Sequence, residues 1–338
     1  MSKLQVLLDF LEEHKNLPVQ GSEQWLLDRK FTIGGSEIPT IVGKNPYSNI
    51  RELIEGHVGI RVFKGNIYTM WGNLLEPLVI KILEKKWRCH IYSTGSLPGV
   101  IPGQKYSPDG LVYLDFLNKI VLIEIKCAAR RSANGKIPEM YKPQLFTGLD
   151  TIRIADLGIF VDAMFRRCPV SSFSSNYYYD YTMHSRSSIG KPLLLCAVCI
   201  YEEIATDTYD AVKIKNNVDN GWVDMGACSI EDAEYIFKAN LKAYYPSYSA
   251  EDGKAIIEEC VSYCTENKFN IIAILPLKLF KIETIVLNRD DWKKNETSLS
   301  YIETHSQTIT NVIDNIKIID ALPAEEKMTQ LDLMYPTL

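Results

Sequence analysis

The sequence predicts an α/β (α+β) fold, a small central mixed sheet flanked by helices. Three observations predict it. Apolar residues recur at helical spacing over long segments, as at Trp71, Leu74, Leu75, Leu78, Val79, Ile82 and Leu83. Apolar runs of strand length stand among them, as at Ile120 to Cys127 and Asp156 to Phe165. The two kinds of segment are interspersed along the chain, with no internal repeat and no low-complexity tail.

The elements follow in order. Leu4, Leu7, Leu8 and Leu11 mark an amphipathic opening helix, and a second helix covers Glu23 to Arg29. After the turn Ile33-Gly34-Gly35-Ser36, Ser36 is placed to cap a helix from Glu37 to about Val42. Gly43-Lys44-Asn45-Pro46 breaks the chain before a helix through Arg51 to Glu55, and the strong helix from Trp71 to Glu84 comes next. Val112 to Phe116 and Ile120 to Cys127 read as a hairpin closed by Leu117-Asn118-Lys119. Pro138 starts a helix to about Leu149. Asp156 to Phe165 and Leu193 to Tyr201 read as strands, and the Ser- and Tyr-rich stretch Pro169 to Gly190 as a loop. Glu231 to Tyr244 and Lys254 to Cys264 read as helices, Leu279 to Leu287 as a strand and Ser298 to Ile319 as a final helix.

Composition narrows the function. The 338 residues are 46% hydrophobic and 23% charged, an ordinary globular balance able to bury a core without staples. A net charge of −5 argues against a protein coated in basic surface, yet leaves room for a local basic groove. The segment from Lys126 to Lys142 supplies one, with Arg130, Arg131 and Lys136 between them and Glu139 as its single acid. Acidic residues interrupt the apolar positions of the N-terminus, and no apolar run is long enough for a membrane span. The expectation is an intracellular protein with reduced thiols, neither secreted nor membrane-bound.

The chemistry concentrates in Ser107-Pro108-Asp109-Gly110 and Leu122-Ile123-Glu124-Ile125-Lys126. Side chains alternate along a strand, so Glu124 and Lys126 share one face, and Ile123, Ile125 and Cys127 share the other. Pairing around Asn118 brings Asp109 opposite the region of Lys126. Two carboxylates and an ammonium thereby meet at one end of a hairpin. Phosphodiester hydrolysis needs this set: hard oxygens to hold Mg²⁺, and a lysine to orient the attacking water or take its proton. The carbonyl of Ile125 is a further hard ligand. A Glu–Lys pair on a strand is alone a weak signal; Pro-Asp-Gly fifteen residues before Glu124 across a short turn makes it specific. Glu76 has Val79, Ile80 and Leu83 as helical neighbours, so it is either another metal-site carboxylate or a glutamate at the core's edge. Gln144, within Tyr141-Lys142-Pro143-Gln144, reads by itself as a helix surface residue.

The motifs R-K-F-T-I-G-G-S-E (Arg29 to Glu37), W-G-N-L-L-E (ending at Glu76), S-P-D-G around Asp109, E-I-K ending at Lys126 and Y-K-P-Q around Gln144 occur in that order. Over residues 20–165, and again from Leu279 to about Ile319, the chain resembles the lambda-type exonuclease, or YqaJ viral recombinase, group of the PD-(D/E)xK nuclease superfamily. The members from large cytoplasmic DNA viruses are the nearest in likeness. The resemblance implies a restriction-endonuclease-like core and 5′→3′ digestion of one strand of duplex DNA to mononucleotides, serving viral replication, recombination or repair in the host cytoplasm. It implies that Asp109 and Glu124 bind metal, Lys126 serves the water, Glu76 assists the metals, Gln144 positions the water, and Arg29, Ser36 and Ser107 hold the terminal 5′-phosphate. It implies a pair of Mg²⁺ ions, with Mn²⁺ as the substitute. Phage members form ring-shaped trimers and work beside a single-strand annealing protein. One nuclease domain is expected over 1–338, its core at 20–165 and about 275–320, with an elaboration at about 170–270. Rival readings are a resolvase- or flap-type endonuclease on the same fold and a non-catalytic protein that binds DNA ends.

Weaker signals carry less. Cys196 and Cys199 lie three apart on a strand, on opposite faces, and Cys260 and Cys264 are four apart on a helix; with Cys89 upstream they make poor ligands for an iron–sulfur cluster, and buried thiols are the default. The five histidines show no metal spacing. Tyr177, Tyr178, Tyr179 and Tyr181 suit packing more than stacking on unwound bases.

Overall fold

The structure is a computed structural model that describes residues 1–18, 22–61, 67–128, 131–168, 175, 177–180, 185–187, 192–203, 234–239, 250–293 and 300–336. Its helices are α1 (Lys3–Glu13), α2 (Glu23–Arg29), α3 (Ile38–Ile41), α4 (Ile50–His57), α5 (Ile67–Trp87), α6 (Lys142–Thr151), α7 (Ala250–Asn267), α8 (Tyr301–Thr304), α9 (Ser306–Asp320) and α10 (Ala324–Met334). Its strands are β1 (Ile33–Gly34), β2 (Leu97–Pro98), β3 (Gln104–Tyr106), β4 (Gly110–Leu114), β5 (Lys119–Lys126), β6 (Leu157–Arg167), β7 (Tyr178–Asp180), β8 (Ser185–Ser187), β9 (Leu194–Glu203), β10 (Glu234–Ala239) and β11 (Phe269–Asn288).

A six-stranded mixed sheet runs β10-β9-β11-β6-β5-β4, with β5 and β6 parallel and the other neighbours antiparallel. This is the mixed sheet flanked by helices that the sequence predicts, consistent with a restriction-endonuclease-like core. Strand alternation explains its two cores. Val121, Ile123 and Ile125 of β5 pack with Leu75, Leu78 and Leu83 of α5 on one face. Ile120 and Leu122 pack with Leu145 and Leu149 of α6 and with Ile313 and Ile316 of α9 on the other. A smaller three-stranded sheet, β1-β3-β2, brings the turn after α2 beside the segment that leads to Asp109.

Several elements depart from expectation. Residues 234–239, expected in a helix, form β10 against β9; the run Glu-Tyr-Ile-Phe-Lys-Ala is rich in strand formers, and an open sheet edge decides between two short-range readings. The expected loop at 169–190 contains the β7–β8 pair. β11 begins at Phe269, ten residues early. Pro276 stands just before the β6 ladder begins at Leu277, where a missing N–H breaks no bond to β6. The expected final helix is divided at His305, and α10 follows it after Pro323. The hairpin link is a 3-10 turn, Asp115–Leu117, with Asn118 left-handed at φ 49°. Pro138 makes a turn whose carbonyl accepts the N–H of Tyr141, and α6 starts only at Lys142. Ser36 lies inside a 3-10 turn, Gly35–Glu37, and caps nothing with its side chain; the Glu37 carboxylate instead accepts the N–H of Gly34 at 2.7 Å.

Candidate active site

The β4–β5 ladder ends with Gly110 opposite Ile123, so Asp109 leaves the sheet level with Glu124, two residues short of the expected Lys126. Its carboxylate accepts the backbone N–H of Ile125 at 2.5 Å. The N–H and C=O of one strand residue face the same edge, so the Ile125 carbonyl also points past the end of β4. Gly110 makes room behind Asp109: a Cβ there would lie 2.4 Å from Ile91 Cγ2. Glu124 is fully buried on β5, and Lys126 donates to its Oε1. The Lys126 ammonium also lies 5.6 Å from the Tyr141 ring centroid, a cation–π contact at the start of α6.

Glu76 is half-buried on α5. Its electrostatic neighbours, in order of effect, are Asp109, Lys126 and Glu124, so the helix delivers a third carboxylate to the end of the hairpin. Burial and the Asp109 charge raise Glu76 to about 8. Burial and Asp109 likewise raise Glu124 to about 7, and burial raises Asp109. Burial works against the Lys126 charge, but Glu124 and Asp109 outweigh it and hold its pKa above the ordinary lysine value. Three carboxyl groups therefore crowd one ammonium, and their raised affinity for protons is the electrostatic signature of the place. Among the described residues no group of three or more His, Cys, Asp or Glu side chains is arranged as a metal site. The donor set itself, three carboxyl groups that crowd one another, fits a divalent cation, which would take the place of their protons.

Tyr106 was not singled out by sequence. Its hydroxyl donates to Glu124 Oε2 at 3.1 Å. Gln144, which by itself reads as a helix surface residue and by the resemblance as part of the site, is buried at 7% exposure in the first turn of α6.

A second cluster surrounds the turn after α2. A Cβ at Gly34 would have Glu37 Oε2, Arg29 Nη2 and Ser36 Oγ within 4 Å, so Arg29 and Ser36 converge there. Arg29 stacks on Trp25 at 4.7 Å and pairs with Glu37 at 3.4 Å. Glu37 is bonded in turn to His57 at 2.9 Å. Burial opposes ionisation of Glu37, yet His57 and Arg29 hold its pKa below the ordinary value. Glu37 closes the motif Arg29 to Glu37, but nothing along the chain joins it to His57, 20 residues away. β1 and β3 run parallel with Gly34 beside Lys105, so Ser36 and Ser107 emerge from adjacent strand ends in like register. Lys105 pins α2 through Asp28 at 2.6 Å.

The basic segment is less uniform than its sequence. Arg131 grips buried Asp162 of β6 with both terminal nitrogens, so it braces the chain after Lys126. Lys136 is exposed, Lys142 pairs with Glu139, and Arg130 lies outside the described residues. Cys127, Cys168, Cys196, Cys260 and Cys264 are buried thiols, with Cys196 and Cys260 in different apolar clusters; the Cys199 side chain and Cys228 lie outside the described residues. Tyr178 packs on Phe280, Tyr177 is exposed, and the side chains of Tyr179 and Tyr181 lie outside the described residues.

Residues 24–151 match the model of the YqaJ-like viral recombinase domain. Protein D345L of African swine fever virus (strain Badajoz 1971 Vero-adapted) is 28% identical over 209 residues, 53% of this chain. The match spans 60% of that relative's length. Among solved structures, an alkaline exonuclease (LHK-Exo) from Laribacter hongkongensis aligns at 21% identity and a TM-score of 0.34, covering 42% of this chain and 74% of that one. A phage related exonuclease from Haemophilus somnus 129PT aligns at 12% identity and a TM-score of 0.31, covering 69% and 96%.

Proposed function

We propose, from the match of residues 24–151 to the YqaJ-like viral recombinase domain, that the chain is a metal-dependent deoxyribonuclease digesting one strand of linear duplex DNA 5′→3′. The observation that carries the proposal is the meeting of the Asp109, Glu124 and Glu76 carboxyl groups around Lys126, three acidic groups to one ammonium at the end of one hairpin.

Asp109, Glu124, Glu76 and the Ile125 carbonyl would hold Mg²⁺ or Mn²⁺. When bound, such an ion neutralises developing charge on the phosphate and acidifies a water. The chain's own groups do the rest. Lys126, bonded to Glu124, would orient the attacking water or take its proton. Gln144 offers a neutral amide to the same water. Arg29, Ser36 and Ser107 take the terminal 5′-phosphate, a guanidinium and two hydroxyls meeting anionic oxygens. That contact sets the distance from the strand end to the bond that is cut. Lys136 and Lys142 track the DNA backbone from the solvent side.

The test is digestion of a linear duplex with an internal label, in Mg²⁺ and in EDTA, beside a closed circle. Wild type and Lys126→Ala run in parallel, on ends with and without a 5′-phosphate. Mononucleotide release from the phosphorylated linear duplex alone, absent in EDTA and in the variant, is the expected result. Cutting of the closed circle would replace this reading with an endonuclease. No metal-dependent cleavage of any substrate would leave a protein that only binds DNA ends.

A further inference from the structure

Tyr106 has no part in the chemistry above, yet the fold is built around it. It is 1% exposed. Two glycines admit its ring from opposite elements. A Cβ on Gly35, in the turn that carries Ser36, would lie 2.3 Å from Tyr106 Cδ2. A Cβ on Gly148, in α6, would lie 2.4 Å from Tyr106 Cζ. The ring is thus wedged between the turn bearing Ser36 and the helix bearing Gln144, and its hydroxyl emerges at Glu124. Glu124 is gripped at both oxygens, Oε1 by Lys126 and Oε2 by Tyr106. The backbone of Tyr106 then continues directly into Ser107 and Asp109.

We propose that Tyr106 is a positioning residue that fixes the plane of the Glu124 carboxylate relative to the turn Gly34–Ser36. It acts as a spacer between the end-phosphate cluster and the carboxylate cluster. The physical ground is torsional: the terminal torsion of a glutamate is broad and soft, so a carboxylate held at one oxygen can swing, and one held at both cannot. A rigid phenol seated against two backbones is a stiff second hold. Outer hydrogen-bond partners of metal-holding side chains have this role in general, and their loss lowers affinity or turnover by about 10- to 100-fold. The proposal rests on the reading of Glu124 as a metal-holding carboxylate.

Tyr106→Phe keeps the ring between the glycines and removes only the hydroxyl. Calorimetric titration with Mn²⁺ alone, with thermal denaturation and with kcat and KM on a 5′-phosphorylated duplex, tests it. We expect Mn²⁺ affinity or kcat to fall about tenfold or more, with KM changed by less than about twofold. Gly148→Ala, which pushes the ring from its seat, is expected to lower Mn²⁺ affinity in the same direction while Tyr106 keeps its hydroxyl. Wild-type Mn²⁺ binding with Tyr106→Phe unchanged in affinity and kcat would overturn the proposal alone, as would a drop in melting temperature without either effect. Absence of Mn²⁺ binding by the wild type would overturn the metal reading and this proposal with it.

Discussion

A glutamate and a lysine two residues apart occur on two strands of the central sheet, as Glu124 and Lys126 on β5 and as Lys281 and Glu283 on β11. They even share a row, because Lys126 pairs with Asp162 and Asp162 pairs with Glu283. Their surroundings differ. Glu124 is fully buried, bonded by Lys126 and Tyr106 and crowded by Asp109 and Glu76. Glu283 and Lys281 have side chains 27% and 48% exposed, and stand 3.8 Å apart. They work as a clamp: Lys281 donates to the Ala133 carbonyl at 3.2 Å, and Glu283 accepts the Gly135 N–H at 2.6 Å. The same two residue types make a strained electrostatic centre in one place and a loop fastening in the other. What separates them is the company of further carboxylates and the exclusion of water, which turns a solvated pair worth little into a site with perturbed protonation.

Removing each pair in turn separates their roles. Glu124→Gln and Lys126→Ala are expected to lower kcat/KM on a phosphorylated duplex by at least about a hundredfold. Lys281→Ala and Glu283→Gln are expected to stay within about threefold, since they loosen a surface clamp. Equal losses from both pairs in a steady-state assay would mean that burial does not distinguish them.

Metal addition is the next test. At about a hundred times its dissociation constant, Mg²⁺ or Mn²⁺ should stabilise the wild type by about 2.7 kcal/mol. Chemical denaturation with and without the ion reads this, and Glu124→Gln should show less than half the gain. Equal gains would place the ion away from β5.

Between the two pairs stands Asp162, 1% exposed and held by Arg131. Arg131→Ala leaves that carboxylate buried and unpaired. A cost of roughly 2 kcal/mol is expected, reduced from the fully buried case because the arginine side chain is 30% exposed. Urea unfolding measures it, and a change near zero would show that the brace on the segment after Lys126 is dispensable.

The smallest effect concerns His57. Burial lowers its pKa, but the Glu37 bond outweighs burial and leaves it raised. A raised folded value means the pair's stabilisation is present in full below the unfolded histidine pKa of about 6.5, and is lost as pH rises through the folded value. The melting-temperature gap between wild type and His57→Gln should therefore be wider at about pH 5.5 than at about pH 9. A gap independent of pH would show that the imidazole contributes only by packing.

Much of this was readable along the chain. The alternation of β5 gave the shared face of Glu124 and Lys126, and the apolar neighbours of Glu76 marked it as no solvated residue. Pro-Asp-Gly before a strand located Asp109 to within two residues of its true partner. These are local facts, set by strand period, helix period and the few residues that tolerate a tight turn. Tyr106, Glu37 and His57 were not readable, because each matters through contacts with segments distant in sequence: Gly35 and Gly148 around one ring, and Glu37 and His57 bonded across 20 residues. Nor could composition say that Arg131 is spent on Asp162, or that residues 234–239 would pair with β9. Which chemical groups this protein has, and which strand and helix faces present them, follow from residue order alone. Which of those groups share a dry space follows from how distant segments pack. Electrostatic coupling and close packing depend on distance through space and on the water that is kept out, and neither is a property of neighbours along a chain.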